Sequence, residues 1–181
     1  RMAAERPFAI ASLALYEPSA FHVLRSGNPR EKHAFREIAG IATTTVRSLL
    51  EGRYREGAEN FTDYWAGEGT FERLKPAAQQ AMAAGLPTIV LHFRALMREP
   101  LPWWVYRRLR VPSLILTGDR SPAPARLAAA AVTRALPVGR QQTLAGRGHM
   151  APLTHADEVA AVLAGCGRSE RASGQPREDA A

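Results

Sequence analysis

Val111-Pro-Ser-Leu-Ile-Leu-Thr-Gly-Asp-Arg-Ser-Pro122 is the stretch whose reading decides the fold. Residues 111–117 form a short apolar run that stops at a Gly-Asp-Arg-Ser-Pro turn, the pattern of a strand bounded by turn residues. Pro124 to Leu136 follows with Leu127, Ala131 and Ala135 on one side of a helix. After a turn at Pro137 to Gly139, a weakly patterned strand spans Arg140 to Leu144. It opens into Leu144-Ala-Gly-Arg-Gly-His-Met-Ala-Pro152, a loop that ends on His149. Gly146 and Gly148 are expected to take backbone angles closed to other residues, letting the chain turn sharply. Thr154 is expected to N-cap the last helix, with Asp157 in the capping-box position. Val159, Val162, Leu163 and Cys166 form its predicted buried stripe.

Working back toward the N-terminus, Ala9-Ile-Ala-Ser-Leu-Ala-Leu-Tyr16 is a nearly unbroken run of apolar or small residues. Such a run suits a central parallel strand buried on both faces. It stops at Glu17-Pro18, so Glu17 lies just past the strand's C-terminal end, the edge where open α/β sheets bind ligands. Between the two strand-bearing regions, residues 25–110 read as a helical insertion of several short helices. Asn28-Pro29 with Glu31 is a capped helix start, and Phe35, Ile38, Ala42, Val46 and Leu49 recur at helical spacing. Gly52 is the expected terminator. Residues 61–69 are an aromatic-rich loop or helix end. Pro76 to Ala84 and the segment opened by Pro87, with Ile89, Phe93, Leu96 and Met97 on one face, are further helices. Pro100 to Tyr106 is a break followed by a short aromatic helix.

The order of strand, helical insertion, strand, helix, strand, helix predicts an α/β protein with a parallel sheet. Three strands make a poor sheet, so the chain looks like the later part of something larger. The expected divisions are a core segment at 1–24, helices at 25–110, a second core segment at 111–166 and a disordered polar tail at 167–181.

Composition narrows the partners. The 181 residues are 46% hydrophobic, enough for one packed domain. The net charge of +7 comes almost wholly from arginine, since Lys32 and Lys75 are the only lysines. A basic chain can bind nucleic acid, but these arginines form no run with interleaved aromatics. No nucleic-acid partner is therefore expected. No apolar run reaches membrane-span length and no secretory signal is visible, so neither membrane association nor export is expected. Cys166 is the single cysteine, which excludes an intramolecular disulfide. Cytoplasm is the expected compartment. No His, Cys or carboxylate spacing suggests a metal site, and no glycine-rich phosphate loop is present.

His149 is the candidate proton carrier, an imidazole on a loop between rigid elements. The alternative is a loop histidine that merely bonds a nearby carbonyl. Phe21, Trp65, Trp103, Trp104 and Met150 are candidates for the lining of an apolar substrate pocket, or are simply the core of the helical insertion. His22, His33 and His92 are expected at the surface or in packing, and His155 in a structural role.

The segments VPSLILTGDRSP and GRGHMAPLTH, each followed by a helix, resemble the C-terminal third of α/β-hydrolase-fold enzymes. LALYEPSAF is similar to the strand after the nucleophile elbow, and FTDYWAGEGTFERLKPAAQQAM to a cap region of bacterial members. The resemblance covers about residues 5–165 and implies a partial α/β-hydrolase fold with an inserted all-helical cap. It implies a cofactor-free, esterase-like hydrolase of a small apolar substrate, with His149 as the catalytic histidine. The acid's commonest position in that family is three residues after the glycine ending the penultimate strand. Gly118 puts it at Ser121, which carries no charge. Glu17 occupies the alternative place used by some members and is preferred as acid, with Asp119 as the alternative. No serine here has the flanking glycines of the nucleophile elbow, and Cys166 ends a helix rather than opening one. The elbow is expected upstream of Arg1, so the chain alone is expected to be inactive. The rival expectations are an inactive fragment or pseudoenzyme with a binding role and, less favoured, an arginine-rich nucleic-acid binder.

Overall fold

The computed structural model describes residues 2–173. Three strands, β1 (Leu13–Tyr16), β2 (Ser113–Gly118) and β3 (Gly139–Leu144), form one sheet in the order β1-β2-β3. Both pairings are parallel, with Leu13 opposite Ser113 and Ser113 opposite Gly139. The helices are α1 (Met2–Glu5), α2 (Pro29–Leu50), α3 (Tyr54–Ala66), α4 (Thr70–Arg73), α5 (Pro76–Ala84), α6 (Leu86–Met97), α7 (Ala123–Ala135), α8 (Ala151–Thr154) and α9 (Ala156–Ser173). Short 3-10 turns span Pro7–Ala9, Phe21–Ser26 and Trp103–Arg108. The α/β class and parallel sheet are as expected. Among the described residues no helix is long and apolar enough to cross a membrane.

The central strand is β2, and every one of its residues is buried. Its side chains alternate between two cores, as a strand's geometry requires. Ile115 packs with Ala129, Val132 and Leu136 of the α7 region. Leu114 and Leu116 face the other way, onto Leu144, Ala151 and Val159. Burial on both faces explains why this strand reads as continuous apolar sequence.

The first strand is shorter and placed differently from expectation. Residues 7–9 form a 3-10 turn, pairing starts only at Leu13, and β1 is an edge strand of this sheet. Its side chains are correspondingly half covered. The apolar run leads to an expectation of burial on both faces, yet none of residues 9–16 is buried, because β1 has a neighbour on one side alone and β2 offers it only four paired positions.

The capped start of α2 forms as read. Asn28 accepts from the Glu31 N–H at 3.0 Å, and the Glu31 carboxylate accepts from the Asn28 N–H at 2.9 Å. The helix runs 22 residues and ends just before Gly52, as its start and terminator predict. Its buried face is Glu31, Ala34, Ile38, Ala42, Thr45 and Ser48, with Phe35, Val46 and Leu49 beside it rather than on it. Small residues face inward because α3 approaches closely. A Cβ on Gly57 would stand 2.8 Å from that of Ser48 and 2.7 Å from Leu86. Residues 61–66, open to a loop reading, are helical as the end of α3.

Three C-terminal expectations need correction. Thr154 is no cap for α9; it closes α8, and its hydroxyl bonds the Met150 carbonyl and the His155 ring. The helix α9 runs to Ser173, beyond the Gly167 boundary of the expected tail. Leu163 is 38% exposed rather than part of the buried stripe. The Cys166 side chain and residues 174–181 lie outside what is described.

Candidate functional site

The site gathers at the C-terminal ends of the three strands. Glu17 follows β1 directly, with its N–H bonded to the Leu116 carbonyl at 2.9 Å. Its φ of 44° lies in the left-handed region, which is uncommon for a residue with a side chain. Strain of this sort persists where surrounding contacts over-determine it, and it concentrates at functional sites. Here those contacts are visible. The Glu17 side chain is fully buried. Its Oε1 accepts from the Gly118 N–H at 2.8 Å, from the Thr117 hydroxyl at 3.1 Å and from the Ser121 hydroxyl. Its Oε2 lies 2.7 Å from Nδ1 of His149. A buried carboxylate is tolerable only with such partners.

Burial by itself would push the Glu17 carboxyl up. The bonds from His149, Ser121 and the Gly118 N–H outweigh it and hold the group below its ordinary value. A group whose folded-state pKa is depressed contributes stability that is present above its unfolded pKa and lost as pH falls through the folded one. Glu17→Gln should therefore flatten the decline in stability below about pH 4.5, near the ordinary carboxyl value. Denaturant midpoints between pH 3 and 6 check this; an unchanged acid slope would contradict the depressed pKa.

The loop carrying His149 is fastened on several sides. Gly146 has a φ of 70°, which calls for glycine. The Arg147 carbonyl accepts from the Arg120 N–H at 2.9 Å. The Arg147 side chain pairs with Glu158 of α9 at 2.6 Å. The Gly148 carbonyl accepts from the Tyr16 hydroxyl at 2.6 Å and the Ala151 N–H at 3.0 Å. Burial, followed by the negative charge of Glu17, raises the Tyr16 phenol to about 12, so it remains a donor at neutral pH. Gly118 lets the loop come close, since a Cβ there would sit 2.1 Å from the Arg147 carbonyl oxygen. Gly148 is not in the left-handed region and a Cβ on it would meet nothing, so only Gly146 of the loop pair is needed for its backbone.

An ionised carboxylate can only accept, so the His149 proton facing it resides on Nδ1. In the neutral ring Nε2 is then free of a proton and able to take one. Asp119, the alternative acid, is exposed; its backbone N–H bonds the Leu144 carbonyl at 3.2 Å, and its carboxylate is no partner of the ring. Of the two acids weighed, Glu17 is the one brought to His149.

Trp65 of α3 lies against the imidazole, with ring centroids 4.2 Å apart and planes 36° apart. A cavity of about 330 Å³ opens beside the pair. Phe21, Trp65 and Met150 line it with His149. Trp103 and Trp104 do not. They are 40% and 45% exposed on the last 3-10 turn, where Arg107 lies over Trp103 at 4.4 Å and Arg108 over Trp104 at 4.8 Å. Each indole thus has an arginine over one face, and Trp103 borders a separate cavity of about 220 Å³ with Tyr106 and Arg134. Phe61, Ile89, Phe93 and Leu96 supply the rest of the apolar wall, with Ser19 and His92 beside them. The helical spacing of Ile89, Phe93 and Leu96 was visible in the sequence; the space they face was not. His22 packs as expected, stacked on Tyr106 at 6.1 Å, and burial holds its pKa down. Among the described residues no group of three or more His, Cys, Asp or Glu could hold a metal ion.

No protein-family model matches this chain, and no curated protein does. Among solved structures it is similar to an alpha/beta hydrolase from Sphaerobacter thermophilus DSM 20745, at 21% identity and a TM-score of 0.47. The match covers 82% of this chain and 56% of that one.

Proposed function

We propose that the chain carries the proton-handling part of a hydrolase, with His149 as general base and Glu17 as the acid that orients it. The observation that carries this reading is the 2.7 Å contact between Nδ1 of His149 and Oε2 of a fully buried Glu17. Glu17 fixes the tautomer that leaves Nε2 basic and offsets the charge when the ring takes a proton. In this reading the helices of residues 25–110 act as a cap that excludes water and shapes the cavity. The apolar walls fit a small neutral substrate such as an ester, for no Lys, Arg, Asp or Glu lines the space. The chemistry calls for no cofactor.

Among the described residues no hydroxyl or thiol is bonded to the ring. An activated ester reports on the free Nε2 that either role needs: the nitrogen can attack the ester carbonyl itself, expelling nitrophenolate and leaving an acyl-imidazole that water hydrolyses. His149→Ala should lower the release of nitrophenolate from a short-chain nitrophenyl ester by about 10²-fold. Equal rates for the two proteins would overturn the assignment and favour a purely binding role for the cavity.

A further inference from the structure

Ser121 stands at the position where the resemblance to α/β hydrolases would place an acid, and it supplies a donor instead. It is 3% exposed, and its hydroxyl donates to Oε1 of Glu17. Its backbone is pinned at both ends of the residue: its N–H bonds the Gly118 carbonyl at 3.3 Å, and its carbonyl accepts from Nε of Arg126 in α7 at 2.9 Å. The other two donors to Oε1, Thr117 and Gly118, both sit at the end of β2. Thr117 also points its hydroxyl at the Gly118 carbonyl, at 3.4 Å, and so is a divided donor. Ser121 is the donor that reaches the carboxylate from the turn leading into α7, a second direction. A glutamate has three side-chain torsions, and its two oxygens are chemically equal until donors distinguish them.

We infer that Ser121 is a positioning residue for the His149–Glu17 pair: its hydroxyl fixes Oε1 and thereby commits Oε2 to the imidazole. The end of β1 provides the charge and the turn after β2 provides the clamp. The inference rests on the reading of His149 as the base, and it adds a residue that touches neither substrate nor ring. Loss of the hydroxyl leaves a buried oxygen short of one donor and frees the carboxylate to turn.

The test uses the full chain in four forms: unaltered, Ser121→Ala, Ser121→Cys and Ser121→Thr. Cysteine keeps the volume with a much weaker donor, and threonine keeps the hydroxyl. Two quantities are read, the rate on the nitrophenyl ester and the His149 Nδ1–H proton resonance. The Ala and Cys variants should lose about fivefold to tenfold in limiting rate with KM nearly unchanged, the size expected for one buried hydrogen bond. Their Nδ1–H resonance should broaden or vanish, and Ser121→Thr should restore both. A Cys variant with unaltered rate and resonance, or a Thr variant as impaired as Ala, would overturn the inference. If His149→Ala leaves the ester rate untouched, the reading of His149 as base falls. The resonance alone then decides the role of Ser121: its loss in the Ala variant upholds the clamp, and its retention refutes it.

Discussion

Gly118→Ala should unfold or severely loosen the strand ends. The added Cβ would stand 2.1 Å from the Arg147 carbonyl oxygen, 2.5 Å from its carbon and 3.0 Å from the Gly148 nitrogen. All three are backbone atoms, so no rotamer change relieves the contact. Both the strand and the loop are held: the Gly118 N–H bonds Glu17, and the Arg147 carbonyl takes the Arg120 N–H. Overpacking that moves backbone costs about 1–3 kcal/mol and occasionally more, and lost bonds to the buried Glu17 add to it. A loss of about 3 kcal/mol or more is expected from denaturant unfolding. Should the variant still fold, the His149 loop must lift, and the Glu17 contact should be lost with it. Wild-type stability together with an intact contact would show that the Arg147 backbone does not lie against Gly118.

The second large effect concerns Trp65→Ala. Trp65 is 9% exposed and packs at once on Phe21, Phe61, Tyr64 and His149, with centroids between 4.2 and 6.4 Å. It joins the helical insertion to the strand ends, so truncation removes contacts on both sides of that junction. Replacing a buried tryptophan by alanine costs about 3–5 kcal/mol, less where the site can collapse. The cavity beside it is already open, so its walls give little support to a collapse. The loss should appear as a lower denaturant midpoint at unchanged slope. A cost below about 1 kcal/mol would mean that Trp65 is not packed on the imidazole in solution.

Much of this arrangement is written in local sequence, and the residues show where that stops. The central strand β2 is apolar throughout because both of its faces are covered. Asn28, Pro29 and Glu31 mark a helix start by local capping bonds, to which Arg134 adds a partner for the Glu31 carboxylate. β1 is shorter than its apolar run suggests, because hydrophobicity does not count pairing partners. Ile38 and Ala42 lie on the inward face of α2 as their spacing predicts, but Ala34, Thr45 and Ser48 complete it in place of Phe35, Val46 and Leu49, because close packing favours small side chains. Residue type alone suggests Trp103 and Trp104 as cavity lining, but they lie away from the space beside His149, next to Arg107 and Arg108.

The site divides in the same way. His149 stands out by its glycine-flanked loop, and Glu17 by its place beyond a strand. Their meeting across 132 positions of chain was implied by the family resemblance rather than by spacing. The hydroxyls that hold them leave no pattern. Tyr16 reads as the end of an apolar run, Thr117 as a strand residue and Ser121 as part of a turn. Each becomes legible only when three strand ends are brought side by side, since a hydrogen-bond donor's role depends on what lies opposite it.

The central claim is that a buried, ionised Glu17 fixes the imidazole of His149 in one orientation and one tautomer. Nitrogen-15 and proton NMR of the His149 ring at neutral pH tests it most directly. The account predicts a protonated Nδ1 with a strongly downfield proton, a bare Nε2, and loss of that signal in Glu17→Gln, whose amide leaves no charge to hold it. A ring protonated on Nε2, or an Nδ1 signal indifferent to Glu17→Gln, would contradict it.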